Sequence, residues 1–200
     1  PYWGDCSRRR NHLQNLKEQM IGIAIGHSRK GDNGAYTVGE SSVSEHTFNS
    51  DLVPFITAHL KVPYKIYDDY KASSYLGAMN YAARKMREDD VDACVELHFN
   101  SAGPKATGHE WLHWQGSSGG SRLATGLKES MIEHYPSLKS RGVKSRSRGD
   151  RGALFLRKTP VAACIAEPFF GSNPEDVALV MSDLSKLGKM YAEGMNNFFA

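Results

Sequence analysis

Cysteine is scarce: Cys6, Cys94 and Cys164 are the only three in 200 residues. Three widely spaced thiols make no disulfide framework and no Cys-x-x-Cys zinc site. Cys94 and Cys164 lie in apolar stretches and read as buried free thiols. Long hydrophobic runs are also missing. No apolar stretch approaches the roughly 18 residues that a membrane-spanning helix needs, so insertion into a membrane is not expected. The triplet Arg8-Arg9-Arg10 is followed by the polar stretch Asn11 to Gln19 rather than by a signal-type apolar segment, so no signal peptide is expected in this chain. Internal repeats and low-complexity tracts are absent. Charge of one sign is nearly balanced: 25 basic against 22 acidic residues leave +3, too little to name nucleic acid as a partner. The basic residues cluster locally, at Arg8 to Arg10 and in the run Lys139 to Arg151 (KSRGVKSRSRGDR). That run has no interleaved aromatics of the kind that stack on bases, and it reads as a solvated loop or as a rim that attracts an anionic polymer.

What is present is an ordinary globular composition, 40% hydrophobic and 24% charged. The length suits about one domain, and such a chain buries roughly 70% of its unfolded surface, enough to fold without staples. Residues 1–19 read as a polar extension with helical character, and 20–200 as the folded domain. Met20 to Gly26 (MIGIAIG) reads as a buried strand, and the Gly-, Ser- and Asp-rich stretch 28–44 as a loop. A helix capped by Ser44 is expected to run to Leu60, with Pro54 as a possible kink. Tyr64 to Tyr67 is a second strand and Ser73 to Arg87 a second helix. Asp92 to Phe99 alternates, with Val95, Leu97 and Phe99 on one face and Cys94, Glu96 and His98 on the other.

Gly108 to Gln115 reads as a strand, Ser121 to Tyr135 as a helix ended by Pro136, and Ala153 to Arg157 and Val161 to Ala166 as two more strands. One long last helix begins at Asn173-Pro174-Glu175-Asp176, which supplies a cap, a first-turn proline and two acids at the positive end of the dipole. Strands alternating with helices predict a single α/β domain: a mostly parallel, twisted sheet of about six strands flanked by helices on both faces.

Three polar residues stand where strands end: His27 after Gly26, His98 before Asn100-Ser101, and Glu167 before Pro168. In open α/β sheets ligands bind outside the carboxyl ends of the strands, so these can meet at one edge. Two histidines with spare carboxylates there point to a metal, and a catalytic zinc takes about three N/O ligands and keeps one open position. Glu45, at the start of the first helix, suits the third place, with Glu40 as the nearby competitor. A first-turn glutamate is also favoured simply by the helix dipole. His46 points some 100° away from Glu45 on a helix. His109 and His113 face together around Trp111, as a half-exposed sheet face or as a substrate-lining one.

The segments IGIAIGHSRKGDNGAYTVGESSVSEHTFN, DACVELHFNS, TGHEWLHW and VAACIAEPFFGSN, in that order, resemble the zinc-dependent N-acetylmuramoyl-L-alanine amidases of the Amidase_3 type. The resemblance runs from about Met20 to Phe198. It rests on an ordered set: strand–Gly–His, a Glu 18 residues on, His-x-Asn-Ser, and a late Ala-Glu-Pro-Phe-Phe-x-x-Asn. It implies an α/β fold, one zinc ion per chain, and hydrolysis of the amide between the lactyl group of N-acetylmuramic acid and L-alanine in peptidoglycan. It implies His27, Glu45 and His98 as zinc ligands and Glu167 as the catalytic glutamate.

The chain departs from the family's Gly-His-Gly-Gly-x-Asp start, reading Gly26-His27-Ser28-Arg29-Lys30-Gly31-Asp32 with a more basic rim. Many members carry a small or hydroxyl residue where this chain has Glu96. Facing the same way as His98, Glu96 either orients a ligand imidazole or is a half-buried acid paired with a lysine. Glu110, in a Gly-x-Glu segment, is expected near the cleft, and Asn100 and Ser101 are expected to fix the loop or touch substrate.

A compact chain of this kind resembles a phage endolysin released to the wall by a holin, or the excised catalytic domain of an exported autolysin. Either acts at the bacterial cell wall, expected as a monomer. Two other functions fit parts of the same pattern: a zinc peptidase acting within the stem peptide, and a non-catalytic wall- or nucleic-acid-binding module.

Overall fold

Ile21–Ile25 (β1) is buried at every position, as a strand covered on both faces must be. In the computed structural model, which describes residues 18–200, β1 sits inside a six-stranded sheet. The other strands are Tyr64–Tyr67 (β2), Ala93–Leu97 (β3), His109–Trp114 (β4), Ser140–Arg146 (β5) and Ala162–Glu167 (β6). Their order is β2-β1-β3-β6-β4-β5. All neighbours pair parallel except β4 with β6. The carboxyl ends of β1, β3 and β6 therefore share one edge, and the start of β4 joins them there.

The helices are Glu45–Thr57 (α1), Tyr75–Glu88 (α2), Ser118–His134 (α3), Ala153–Lys158 (α4), Pro174–Met181 (α5) and Leu184–Phe199 (α6). Ser44 caps α1 by accepting from the Thr47 N–H, and Pro54 lies inside a helix that runs on to Thr57. Strand alternation divides the core in two. Ile21, Val95, Leu97, Trp111 and Cys164 pack under α1, α3 and α6. Ala24, Cys94, Leu112 and Ile165 pack against the side of α2 and α4, with Met79, Phe155 and Leu156. Cys94 and Cys164 are buried free thiols, whereas Cys6, the arginine triplet and almost all of the expected 1–19 extension lie outside the described residues.

Four expectations are corrected. Ala153 to Arg157, expected as a strand, is the helix α4. Its run Ala-Leu-Phe-Leu is too short for periodicity to separate the two, and Gly152 opens a turn that starts a helix. The basic run, expected as a solvated loop or an anion-attracting rim and not as a strand, contains β5, an edge strand whose charges block further pairing. The six-strand total holds, but β5 takes the place of the expected strand at 153–157. The single last helix is two, because Asp183 accepts from the Lys186 N–H and caps α6 anew. Finally, the half-exposed face expected around His109 is buried there. His109 is fully enclosed and its Nδ1 accepts a 2.8 Å hydrogen bond from Trp111 Nε1, while His113 stays partly exposed.

Candidate metal centre and its cleft

Alternation places the chemistry on one face. Glu96 and His98 follow Cys94 on β3 and beyond, Glu167 follows Ile165 on β6, and Glu110 precedes Leu112 on β4. Register then sets their level at the edge: Glu96 is paired with Ile165, and Glu110 stands directly opposite Glu167. Just past β1, Gly26 has no alternative, because a Cβ there would collide with the imidazole of His98. His27 follows in the left-handed region, at φ 61°. That conformation costs an L-residue about 1–2 kcal/mol and swings the imidazole back over the sheet edge.

Glu45 supplies the third side. As the first residue of α1 it is only 2% exposed. Its Oε1 accepts from the Phe99 N–H at 3.1 Å and lies 2.7 Å from His98 Nδ1. Its Oε2 accepts from the Ala35 N–H at 3.1 Å and lies 3.3 Å from His27 Nε2. Burial alone would raise this carboxyl, but hydrogen bonds from His27 and His98, and their charge, outweigh it and hold the group well below the usual range.

Each imidazole is fixed from behind by another carboxylate. His27 Nδ1 meets Asp32 Oδ1 at 2.8 Å. His98 Nε2 lies 3.3 Å from Glu96 Oε2, and Glu96 Oε1 accepts from the Tyr70 hydroxyl at 3.4 Å. His27 Nε2 and His98 Nδ1 are thus left turned toward Glu45. One ligand atom each from His27, Glu45 and His98 lies within 4.8 Å of the others. Two held imidazoles and a carboxylate are a zinc donor set. Three carboxylates around two imidazoles also leave negative charge that a divalent cation would balance.

Glu167 ends β6 beside this group. The residue keeps some exposure to the cleft, but its Oε2 is buried and has no hydrogen-bond partner among the described residues. Burial pushes its carboxyl up to about 7; the charges of Glu45 and Glu110 push the same way, against His98. The cleft holds about 400 Å³ and is lined by His27, Glu96, His98, Glu110 and Glu167, with Leu112, Ile165 and Met79 as its apolar floor.

The remaining expected residues fall as follows. Glu96 lies against His98, and no lysine pairs with it among the described residues. Asn100 lines the cleft and ties two site-bearing loops together: its N–H donates to Phe169 O, and its carbonyl accepts from the Gly171 N–H. Glu110 lines the cleft too, but its Oε2 is held by Arg141 and Lys144 at 2.8 and 2.6 Å. Glu40 stays exposed in its loop, and neither it nor His46 joins the group. Asp32 and Tyr70 are positioning groups that the sequence did not single out. The aspartate closing the Gly-His loop was the available signal for the first; nothing local marks the second.

A family model for N-acetylmuramoyl-L-alanine amidases, Amidase_3, matches residues 21–197. The chain belongs to this amidase family. The resemblance seen in the sequence is thereby borne out over nearly its whole span. An endolysin of Bacillus phage SPP1 is 26% identical over 185 residues, which cover 88% of this chain and 65% of that protein. Among solved structures, Cwp6 from Clostridium difficile superposes with a TM-score of 0.78 at 18% identity, covering 92% of this chain and 30% of that one. The catalytic domain of the amidase CwlV from Bacillus (Paenibacillus) polymyxa var. colistinus superposes at 0.73, with 18% identity and 90% and 98% of the two chains covered. At these identities the amidase structures attest the shared fold. The chain spans just under two thirds of the phage endolysin and under a third of Cwp6.

Proposed function

We propose that the chain hydrolyses the amide joining the lactyl group of N-acetylmuramic acid to L-alanine in bacterial peptidoglycan, with one zinc ion held by His27, Glu45 and His98. The observation that carries this reading is the convergence of that two-histidine, one-carboxylate donor set with Glu167, whose Oε2 is buried and unpartnered. Family membership supports the bond and the metal. The likeness to a phage endolysin supports the bacterial cell wall as the place of action. No helix among the described residues is long and apolar enough to cross a membrane.

Zinc, when bound, polarises the scissile carbonyl and brings the pKa of a coordinated water toward about 7. The protein's own residues do the rest. Glu167 accepts a proton from the attacking water and returns it to the departing amine of L-alanine, so the C–N bond breaks and a lactyl carboxyl group forms. A carboxyl raised by burial is suited to both transfers near neutral pH. Asp32 and Glu96 hold the two imidazoles in one tautomer and orientation. Glu45, tied to the Phe99 and Ala35 amides, keeps the donor set from relaxing.

Mass spectrometry of products from defined sacculi tests the reading. The expected products are intact muramic acid and new L-alanine N-termini, formation stopping with a chelator and resuming with zinc. New N-termini at other stem residues would make the chain a stem peptidase. No cleavage together with sacculus binding would make it a binding module.

A further inference from the structure

The basic edge strand is built toward the same cleft. Between the pairs His109–Ser140 and Trp111–Val143 the register slips by one residue, so Glu110 faces two residues of β5, Arg141 and Gly142. Gly142, at φ 83°, supplies the left-handed step of this bulge. Strict alternation would put Arg141 on the opposite face from Lys144 and Arg146. The extra residue puts all three on one face, around a single carboxylate.

That carboxylate is already taken. Arg141 Nε and Lys144 Nζ both occupy Glu110 Oε2. Arg146 stands off, with a terminal guanidinium nitrogen (Nη2) 3.8 Å from Oε1, too far for a hydrogen bond, and its Nε is buried without a partner. Arg151, in the turn before α4, lines the same cleft and makes no ion pair among the described residues. The nearby Asp150 is held by the Ser147 N–H and hydroxyl at 2.7 and 3.0 Å. Four cations thus meet two carboxylates, Glu110 and Asp150, that are both engaged, and Arg151 also lies within electrostatic reach of Glu167. The spare donors belong to Arg146 and Arg151.

We propose that Arg146 and Arg151 form an anion subsite that receives the free carboxylate of the stem residue next to L-alanine, so that the chain prefers stems in which this carboxyl is not amidated. The inference rests on the amidase reading above. Its geometry is set by the sheet. The Arg146 guanidinium sits beside Glu110, which faces Glu167 across one strand spacing of about 5 Å. One or two extended residues, at about 3.3 Å each, carry a peptide from the reacting amide to that wall. A guanidinium fork meets a carboxylate through paired charge-assisted hydrogen bonds. The phosphates of wall polymers share that chemistry, but the stem carboxylate is part of the substrate itself.

The test uses the zinc-loaded full chain and two soluble muropeptides that differ only in whether the second stem residue carries a free carboxylate or its amide. Wild type should cleave the acid with kcat/KM about tenfold higher, through KM, and the double variant Arg146→Gln/Arg151→Gln should lose that preference and cleave both alike. Equal cleavage of both by wild type overturns the subsite and leaves the amidase reading standing. Cleavage of neither overturns both. A preference that survives the double variant, with unchanged thermal melting, moves the carboxylate contact elsewhere and overturns the assignment. Rates on sacculi that follow wall-polymer phosphate content and ignore stem amidation would assign the two arginines to phosphate and likewise overturn it.

Discussion

His98 has both ring nitrogens engaged, Nδ1 facing Glu45 and Nε2 facing Glu96. His27 repeats the arrangement with Glu45 and Asp32. Removing a carboxylate behind a ligand imidazole typically weakens metal binding about 10–100-fold. Asp32→Ala and Glu96→Ala should each weaken zinc by about tenfold in competition with a chromophoric chelator, with unchanged circular dichroism. Affinities equal to wild type would make these contacts incidental. His109 offers a test in the interior. Burial, helped by the charge of Lys128, lowers its pKa to about 4, and its Nδ1 must stay unprotonated to accept from Trp111. The neutral form is thus favoured by the fold. Its contribution to stability is complete above the unfolded pKa of about 6.5 and is lost as pH falls toward 4. Thermal melts between pH 7 and 4 should fall more steeply for wild type than for His109→Asn, which keeps an acceptor for the indole. Parallel curves would contradict the assignment.

The elements explain what was legible beforehand. His27, His98 and Glu167 could be placed at one sheet edge because each stands at the end of a strand whose apolar pattern is unmistakable. Glu45 was marked by the Ser44 cap that starts α1. Asp32 and Tyr70 come from irregular segments, where no period says which way a side chain points. The strand at 140–146 was missed because Lys and Arg on alternate positions resemble a solvated loop, and an edge strand needs no second apolar face. Its bulge was invisible for the same reason, since register is a property of two strands together. Gly142 makes that bulge testable. Apart from its chain neighbours, no atom of the described residues lies within 4 Å of where its Cβ would be, so its φ of 83° alone sets the cost of a side chain. Gly142→Ala should cost about 1 kcal/mol, lowering Tm by about 2–4 °C for a chain of this size. Gly142→Asn should lose less, because Asn visits the left-handed region more readily. Calorimetry showing no loss for Ala would remove the bulge from the account.

Across the whole molecule the donor set joins parts distant in sequence: the end of β1, the first turn of α1 and the end of β3. A metal that binds only the native arrangement stabilises it by mass action, about 4 kcal/mol at a thousandfold excess over Kd. At about 2–4 °C per kcal/mol, saturating zinc should raise Tm by roughly 10 °C, and Glu45→Gln should lose most of that rise. An equal rise in the variant would mean that zinc stabilises the chain elsewhere. Sheet order accounts for the rest of the design, bringing β6 with Glu167 between the histidine-bearing ends and the β4–β5 wall that carries Glu110 and Arg146. The candidate donor set, Glu167 and the cationic wall thus share one open edge. The most direct test of this account is zinc content and product release measured together in wild type and Glu167→Gln. The account predicts one zinc per chain in both, with release of L-alanine-ended peptides from sacculi by wild type and at least a hundredfold loss in the variant. Wild type that binds no zinc, or a Glu167→Gln variant that cleaves at the wild-type rate, would contradict it.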